Sequence, residues 1–349
     1  MPNNPILDFE IDRTRVKFVG SGLQRPECIL AEPDGVLWAA DARGGVVRIA
    51  PDGSQMIVTQ KASGAFARAA TEADRYLTGT LPNGLAFAAD GSILISNFGT
   101  DRLEHMSRTG ETRILADSID GQPLGKVNFV LRDSKNRIWI TVSTRARNWM
   151  QALRTDLTDG YIARYEAGAF RIVADGFRFT NEMRFDAKEE FLYVAETTGG
   201  HITRLRVDSQ GNLKNREVFG PSVLGKGAWP DGIAFDSYGN LWGTMVYSDK
   251  LFVLTPDGDL RILLDEGDPQ KVAALERQFF DNHVTEDILF ATGTGIAPWM
   301  ASVTFGGPDL KTVYIGSLKG TRIPCFRSPV AGLPMVHWNS SRSAVSAVT

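Results

Sequence analysis

The chain is predicted to be all-β, a six-bladed β-propeller of four-stranded blades with short helical insertions. Three observations predict this. The sequence repeats itself six times, the apolar runs within each repeat are short and β-rich, and the turns between them carry Asp-Gly, Gly-Asn or Lys-Asn. Such turns are hairpin chemistry rather than helix capping. Unit starts about 45 to 70 residues apart suit blades that pack radially and leave only short, protected edges.

The units follow in order. PECILAEPDGVLWAADARGGVVRIAPDG starts at Pro26, and PNGLAFAADGSILISNFGTDRLEHMSRTG starts at Pro82 with the same grammar of apolar run, Asp-Gly turn, apolar run, loop and third run. KVNFVLRDSKNRIWITVS from Lys126, TNEMRFDAKEEFLYVAETTGGHITRLRVDSQG from Thr180 and PDGIAFDSYGNLWGTMVYSDKLFVLTPDG from Pro230 repeat it. A sixth unit, MASVTFGGPDLKTVYIGSLKGTRIPCF, starts at Met300 with Gly-Gly-Pro-Asp at its first turn. Residues before Pro26 are expected to supply an outer strand that closes the ring with the last blade. The propeller is read as one domain over 1–338, with 339–349 a frayed, small and polar tail.

Two stretches interrupt the repeat. Residues 143–159, STRARNWMQALRTDLTD, place a helix-like segment after the second strand of blade three. Residues 267–298 lengthen the approach to blade six, with Asp268-Pro269 at a helix start and Val272, Leu275, Phe279 and Phe280 at helical spacing. Both read as lids or binding loops, or as surface decoration.

Bulk properties narrow the partners. A net charge of −3, 43% hydrophobic residues and 35 glycines describe a folded, turn-rich protein with no electrostatic grip on nucleic acid or anionic membrane. The N-terminus has no apolar signal core, and no apolar run is long enough to span a bilayer, so a cytoplasmic monomer or weak homo-oligomer acting on a small molecule is expected. Cys28 and Cys325 lie far apart in sequence and read as reduced packing residues. His105, His201, His283 and His337 have no ligand spacing, and neither a GxSxG elbow nor a phosphate loop is present.

The chemistry gathers at one repeat phase. In a propeller, the residue opening each innermost strand lies at the same end of the central channel. Here those positions hold Glu27, Asn83, Asn128, Asn181, Asp231 and, in blade six, Ser302 or a neighbour. An unbroken ring of side-chain oxygens suits one hard divalent cation, Ca²⁺ first, with Mg²⁺, Mn²⁺ or Zn²⁺ also compatible; the lack of His and Cys argues against tetrahedral structural zinc. Two carboxylates would balance a dication, whereas alone they would repel and one would take up a proton. Asn83-Gly84 and Asp231-Gly232 also read as ordinary turn dipeptides.

PECILAEPDGVLWAAD, NEMRFDAKEEFLYVAET, WPDGIAFDSYGNLW and FGGPDLKTVYIGS together resemble the gluconolactonase family, which includes senescence marker protein, luciferin-regenerating enzyme and, more distantly, diisopropylfluorophosphatase. The resemblance spans residues 26 to about 325 and implies a single axial cation held by Glu27, Asn128, Asn181 and Asp231. It also exposes departures. Where sugar lactonases of the family have Arg two residues before the third-blade Asn and Asp after it, this chain has Lys126 and Phe129, and Glu182 replaces the Gly that commonly follows the fourth-blade Asn. With Trp149 and Met150 in the insertion, these imply a larger or more apolar lactone or ester, contacted by Lys126, Asn83, Phe129, Trp149 and Glu182.

The mechanism the resemblance implies is metal-assisted hydrolysis. The cation would polarise the carbonyl, Asp231 would serve as base or, as the lesser alternative, nucleophile, and Glu182 is a second candidate base. Phosphotriester hydrolysis, a hydratase or isomerase, and a non-catalytic binding propeller are the rival readings.

Overall fold

Each repeat folds as one antiparallel four-stranded meander in the computed structural model, which describes residues 4–61, 80–166 and 168–338. The expected tail at 339–349 lies outside the described residues. The innermost strands of blades one to six are Ile29–Ala31, Pro82–Phe87, Val127–Arg132, Thr180–Phe185, Pro230–Phe235 and Met300–Gly306. They contact one another in cyclic order around the axis. The ring closes as expected: the outermost strand of blade six is Lys17–Val19, paired antiparallel with Ile323–Arg327 so that Phe18 faces Pro324.

Repeated chemistry holds the first hairpin of blades one, three and five. An acidic residue at the end of the inner strand accepts a hydrogen bond from the indole six residues later. Trp38 donates to Glu32 at 2.6 Å, Trp139 to Asp133 at 2.8 Å and Trp242 to Asp236 at 3.0 Å. The same Asp236 carboxylate also accepts the backbone N–H groups of Tyr238, Gly239 and Asn240, so one side chain both shapes the turn and satisfies the buried indole. Apolar residues bridge neighbouring blades. One cluster joins Leu94 and Leu103 of blade two to Ile140 and Tyr161 of blade three, and another joins Ile202 of blade four to Trp242's neighbours Leu241 and Phe252 in blade five.

Five of the six inner strands carry a β-bulge where they enter the channel, between Pro82 and Leu85, Val127 and Phe129, Thr180 and Met183, Pro230 and Ile233, and Met300 and Ser302. A bulge leaves a residue unpaired and re-aims its side chain. Asn83-Gly84 and Asp231-Gly232 therefore sit inside strands, at bulges, and not in turns. The glycines answer a steric need: a Cβ on Gly84 would lie 2.6 Å from the Cα of Phe129, and one on Gly232 would lie 2.3 Å from both the carbonyl oxygen of Ala301 and the Cα of Ser302.

Both interruptions fold over the entrance end of the channel. Asn148 caps a 3₁₀ turn at Trp149–Ala152, and Asp268 caps helix α1, Pro269–Phe280, by accepting the N–H groups of Gln270 and Lys271. Helix α2, Glu286–Ala291, follows; the sequence pattern had not revealed it. The Asn282 side chain accepts the backbone N–H of Thr155 at 2.7 Å, tying one insertion to the other. Val272, Leu275 and Phe279 are buried on α1 as the spacing predicts, but Phe280 is 68% exposed because it lies one position off that stripe. Among the described residues no helix is long and apolar enough to cross a membrane.

Gly232→Ala should destabilise the protein by about 1–3 kcal/mol, the usual cost of overpacking a close contact. Chemical denaturation measures this, and an unchanged midpoint would show that the blade-five and blade-six strands are not so close.

Candidate functional site

The ring positions converge at the entrance of the channel. Glu27, Asn83, Asn128, Asn181 and Asp231 line one small cavity together with Arg25, Phe98, Trp149, Phe179, Thr197, Val246, Tyr247, Trp299 and Leu318. The ring is five oxygens rather than six. In blade six the residue at the same phase is Ala301, one after Met300, while Ser302 turns its hydroxyl to the carbonyl oxygen of Glu27 and joins blades six and one.

Hydrogen bonds orient the set. Asn83 Nδ2 donates to Glu27 Oε1 at 3.0 Å and to the backbone carbonyl of Asn128 at 3.0 Å, with Asn128 Oδ1 at 3.3 Å. Arg25 Nη2 donates to Asn83 Oδ1 at 2.6 Å and its Nη1 to the carbonyl of Pro82 at 3.1 Å, which fixes which way the Asn83 amide faces. Asn181 Nδ2 donates to Thr197 Oγ1 at 3.1 Å, and Thr197 in turn donates to the carbonyl of Pro230 at 2.8 Å. Asn83 thus serves as a brace, its amide nitrogen turned to the oxygens around it.

Three buried oxygens remain without a hydrogen-bond donor: Glu27 Oε2, Asn181 Oδ1 and Asp231 Oδ1. Orphaned oxygens on carboxylates and amides, lining one pocket with Asn128 Oδ1, fit a hard divalent cation. Among the described residues no three His, Cys, Asp or Glu side chains group as metal ligands; the set depends on its two amides.

The electrostatics point the same way. Burial pushes the Glu27 carboxyl up to about 8, with Glu182 adding to the rise and Arg25 opposing it. Burial, then the negative charges of Glu27 and Glu182, lift Asp231 well above the ordinary carboxylate range. Without a cation the pair therefore holds protons near neutrality.

The sequence-predicted residues divide in two. Trp149 joins the cavity lining, its ring centroid 6.3 Å from that of Phe98 and 6.4 Å from that of Phe179, and Met150 packs in the same aromatic cluster. Lys126, Phe129 and Glu182 lie outside the lining. Lys126 is engaged behind Phe98, with Nζ 2.9 Å from Asp101 Oδ1 and donating to the Phe98 carbonyl. Phe129 lies under the guanidinium of Arg184, 4.4 Å from its ring centroid. Glu182 is fully buried, paired with Arg184 at 2.9 Å and accepting the N–H of Ile233; burial lifts its carboxyl to about 7 against the pull of Arg184.

Sequence reasoning missed Arg25, Phe179 and Trp299, and their common signal is repeat phase. Each stands two residues before its blade's ring position, as Leu81, Lys126 and Trp229 do in the other blades. Only Arg25, Phe179 and Trp299 have left-handed backbones, with φ of 57°, 55° and 57°. They are also the three of the six that line the cavity. A left-handed conformation costs a non-glycine residue about 1–2 kcal/mol, and here it accompanies entry of the side chain into the site.

The remaining space is about 40 Å³, room for an ion and a few water-sized groups rather than a sugar-sized ring. Trp149, Phe98, Phe179, Tyr247 and Trp299 narrow it, backed by Val272, Leu275 and Phe279 of α1.

A family model described as SMP-30/Gluconolactonase/LRE-like region matches residues 66–264. The chain is 26% identical over 234 residues to a 6-deoxy-6-sulfogluconolactonase of Pseudomonas putida, covering 66% of this chain and 67% of that protein. Matches to adipocyte plasma membrane-associated proteins of Danio rerio and Gallus gallus cover 41% and 57% of those proteins. Among solved structures, a gluconolactonase from Xanthomonas campestris superposes with a TM-score of 0.63 at 18% identity, covering 90% of both chains. A calcium-binding regucalcin from Agrobacterium tumefaciens superposes with a TM-score of 0.61 at 16% identity, covering 90% of this chain and 95% of that one.

A carboxyl whose folded pKa lies above its unfolded value stabilises the fold while protonated. That contribution is complete below about pH 4.5 and is lost as pH rises through about 8. With chelator present, the thermal midpoint should therefore fall between pH 5 and pH 8.5. Asp231→Asn should remove much of that fall; an identical slope in the variant would mean that the pair is not coupled.

Proposed function

The chain belongs to the SMP-30/gluconolactonase/LRE-like family, and on that premise we propose that it is a divalent-cation-dependent hydrolase that opens a lactone. One observation carries the reading: three buried, donor-less oxygens from Glu27, Asn181 and Asp231 converge with Asn128 in one cavity. These four residues would hold the ion. Its softest alternatives are disfavoured by an all-oxygen donor set, and Ca²⁺ is the ion we favour. When bound, it supplies Lewis-acid polarisation of the substrate carbonyl.

The protein's own groups do the rest. Asp231, with one oxygen free of hydrogen-bond donors, is the base that takes a proton from attacking water. Arg25 presents positive charge at the cavity wall, two residues before Glu27, and is the residue we assign to hold a substrate oxygen or anionic substituent. It takes over the role that the sequence pattern suggested for Lys126. Asn181 is kept in place by Thr197, and the aromatic lid excludes water once the substrate is seated.

Elemental analysis and a panel of lactones, esters and phosphotriesters, run before and after chelation, test the reading. We expect about one cation per chain, hydrolysis that favours lactones and is lost on chelation, and a fall in kcat of about a hundredfold or more in Asp231→Asn. A cation-free protein whose Asp231→Asn variant keeps full activity would overturn it, and preference for phosphotriesters would redirect the substrate assignment. Arg25→Met should raise KM about tenfold with metal content retained, the loss expected when one charged contact of about 1.4 kcal/mol is removed. Trp149→Ala should lower KM selectively for bulky lactones by widening the aromatic entrance.

A further inference from the structure

The far end of the channel holds a second cavity, formed where the inner strands leave the axis. It measures about 280 Å³, near the lower end of the roughly 300–1,000 Å³ of small-molecule sites. Its walls are chiefly aliphatic and aromatic, with Leu30, Leu131, Phe305 and Met335 among them. The segment 333–338 runs along one side, tied by the Leu333 N–H to the Phe235 carbonyl at 2.8 Å and by His337 Nε2, 2.9 Å from the Ala31 carbonyl oxygen. The Glu182–Arg184 ion pair stands between this cavity and the entrance site: Arg184 lines the second cavity and Glu182 lines neither.

Two buried guanidiniums face this apolar space. Arg132 donates Nε to the Phe87 carbonyl at 2.8 Å and Nη1 to Asn136 Oδ1 at 2.6 Å, but no carboxylate among the described residues lies within ion-pair distance of it. The Nε of Arg184 is buried without an acceptor. The acidic side chains of the lining are committed elsewhere: Glu189 accepts from the backbone and hydroxyl of Ser134, and Asp186 from the N–H groups of Glu190 and Phe191. Arg184 has Glu182 as its counter-ion but keeps Nε unused, whereas Arg132 has none; a cationic group taken out of water without a counter-ion is costly, and an anion that supplies one gains strong charge-assisted hydrogen bonds.

We propose that this cavity binds an amphiphilic carboxylate, with its head group at Arg132 and Arg184 and its short apolar chain along the aliphatic walls. The proposal is independent of the chemistry assigned to the entrance site. Charge and shape set the class of ligand. A neutral alcohol of equal length leaves Arg132 without a counter-ion and the Nε of Arg184 without an anionic acceptor, and a chain much longer than eight carbons exceeds the space.

Octanoate titrated calorimetrically into the full-length protein tests this. We expect saturable binding of one octanoate per chain, with 1-octanol at least tenfold weaker and Arg132→Met reducing octanoate affinity at least tenfold. Asp231→Asn, altered only at the entrance site, should bind octanoate as the wild type does, which separates this site from capture of the carboxylate by a cation there. Should Arg132→Met fail to fold, Ala234→Phe adds bulk at a residue that lines the same cavity and keeps some exposure, and should abolish binding while the protein still melts cooperatively. No saturable binding, equal affinity for octanol, or undiminished affinity in a folded Arg132→Met or Ala234→Phe variant would overturn the proposal.

Discussion

The close approach of six inner strands at the axis is the constraint on which the rest of the molecule depends. Where these strands enter the channel there is no room for ordinary pairing of every residue, and bulges resolve the crowding. Gly84 and Gly232 sit where backbone approaches backbone, and the residue just before each glycine is turned into the axis. Packing of the ring and presentation of the oxygens are therefore one event. Hydroxyls finish the work across blade boundaries: Thr141 donates to the Asn181 carbonyl at 2.7 Å, and Ser302 to that of Glu27.

The second theme is buried charge. Glu27, Asp231 and Glu182 are three carboxylates with almost no solvent, faced by Arg25 and Arg184. Burial alone would drive all three to the neutral acid, and the guanidiniums hold the charged forms within reach. The Glu182–Arg184 pair stands between the two cavities and serves both: its carboxylate contributes to the field at the entrance site, while its guanidinium borders the apolar chamber beyond.

Much of this was legible in the residues because a repeat writes the same instruction six times. The blade count and the phase of Glu27, Asn128, Asn181 and Asp231 follow from alignment of the units, and the closing role of the N-terminal strand from the way propellers join their ends. What stayed hidden depends on backbone geometry that repeats do not spell out. Asn-Gly and Asp-Gly are turn signals when read locally, and only the crowding at the axis makes them bulge signals. The repeat phase points to Ser302 or a neighbour in blade six, but register follows Met300, puts Ala301 at the ring position and leaves blade six without a donor. Lys126 and Arg25 occupy the same phase in different blades. The left-handed backbone at position 25 accompanies Arg25 to the cavity, and its absence at 126 accompanies the pairing of Lys126 with Asp101.

Closure by Lys17–Val19 against Ile323–Arg327 has a consequence for how the protein is made. Lys17–Val19 is the last of the propeller's strands to find its partner, because that partner is translated some three hundred residues later. Until then blade six lacks its outer edge, and Glu27 lacks the Ser302 contact that seats it. Non-local closure of this kind slows folding and prolongs exposure of unpaired strand edges. The oxygens at the entrance site are thus held in place only once blade six has been made and has joined blade one.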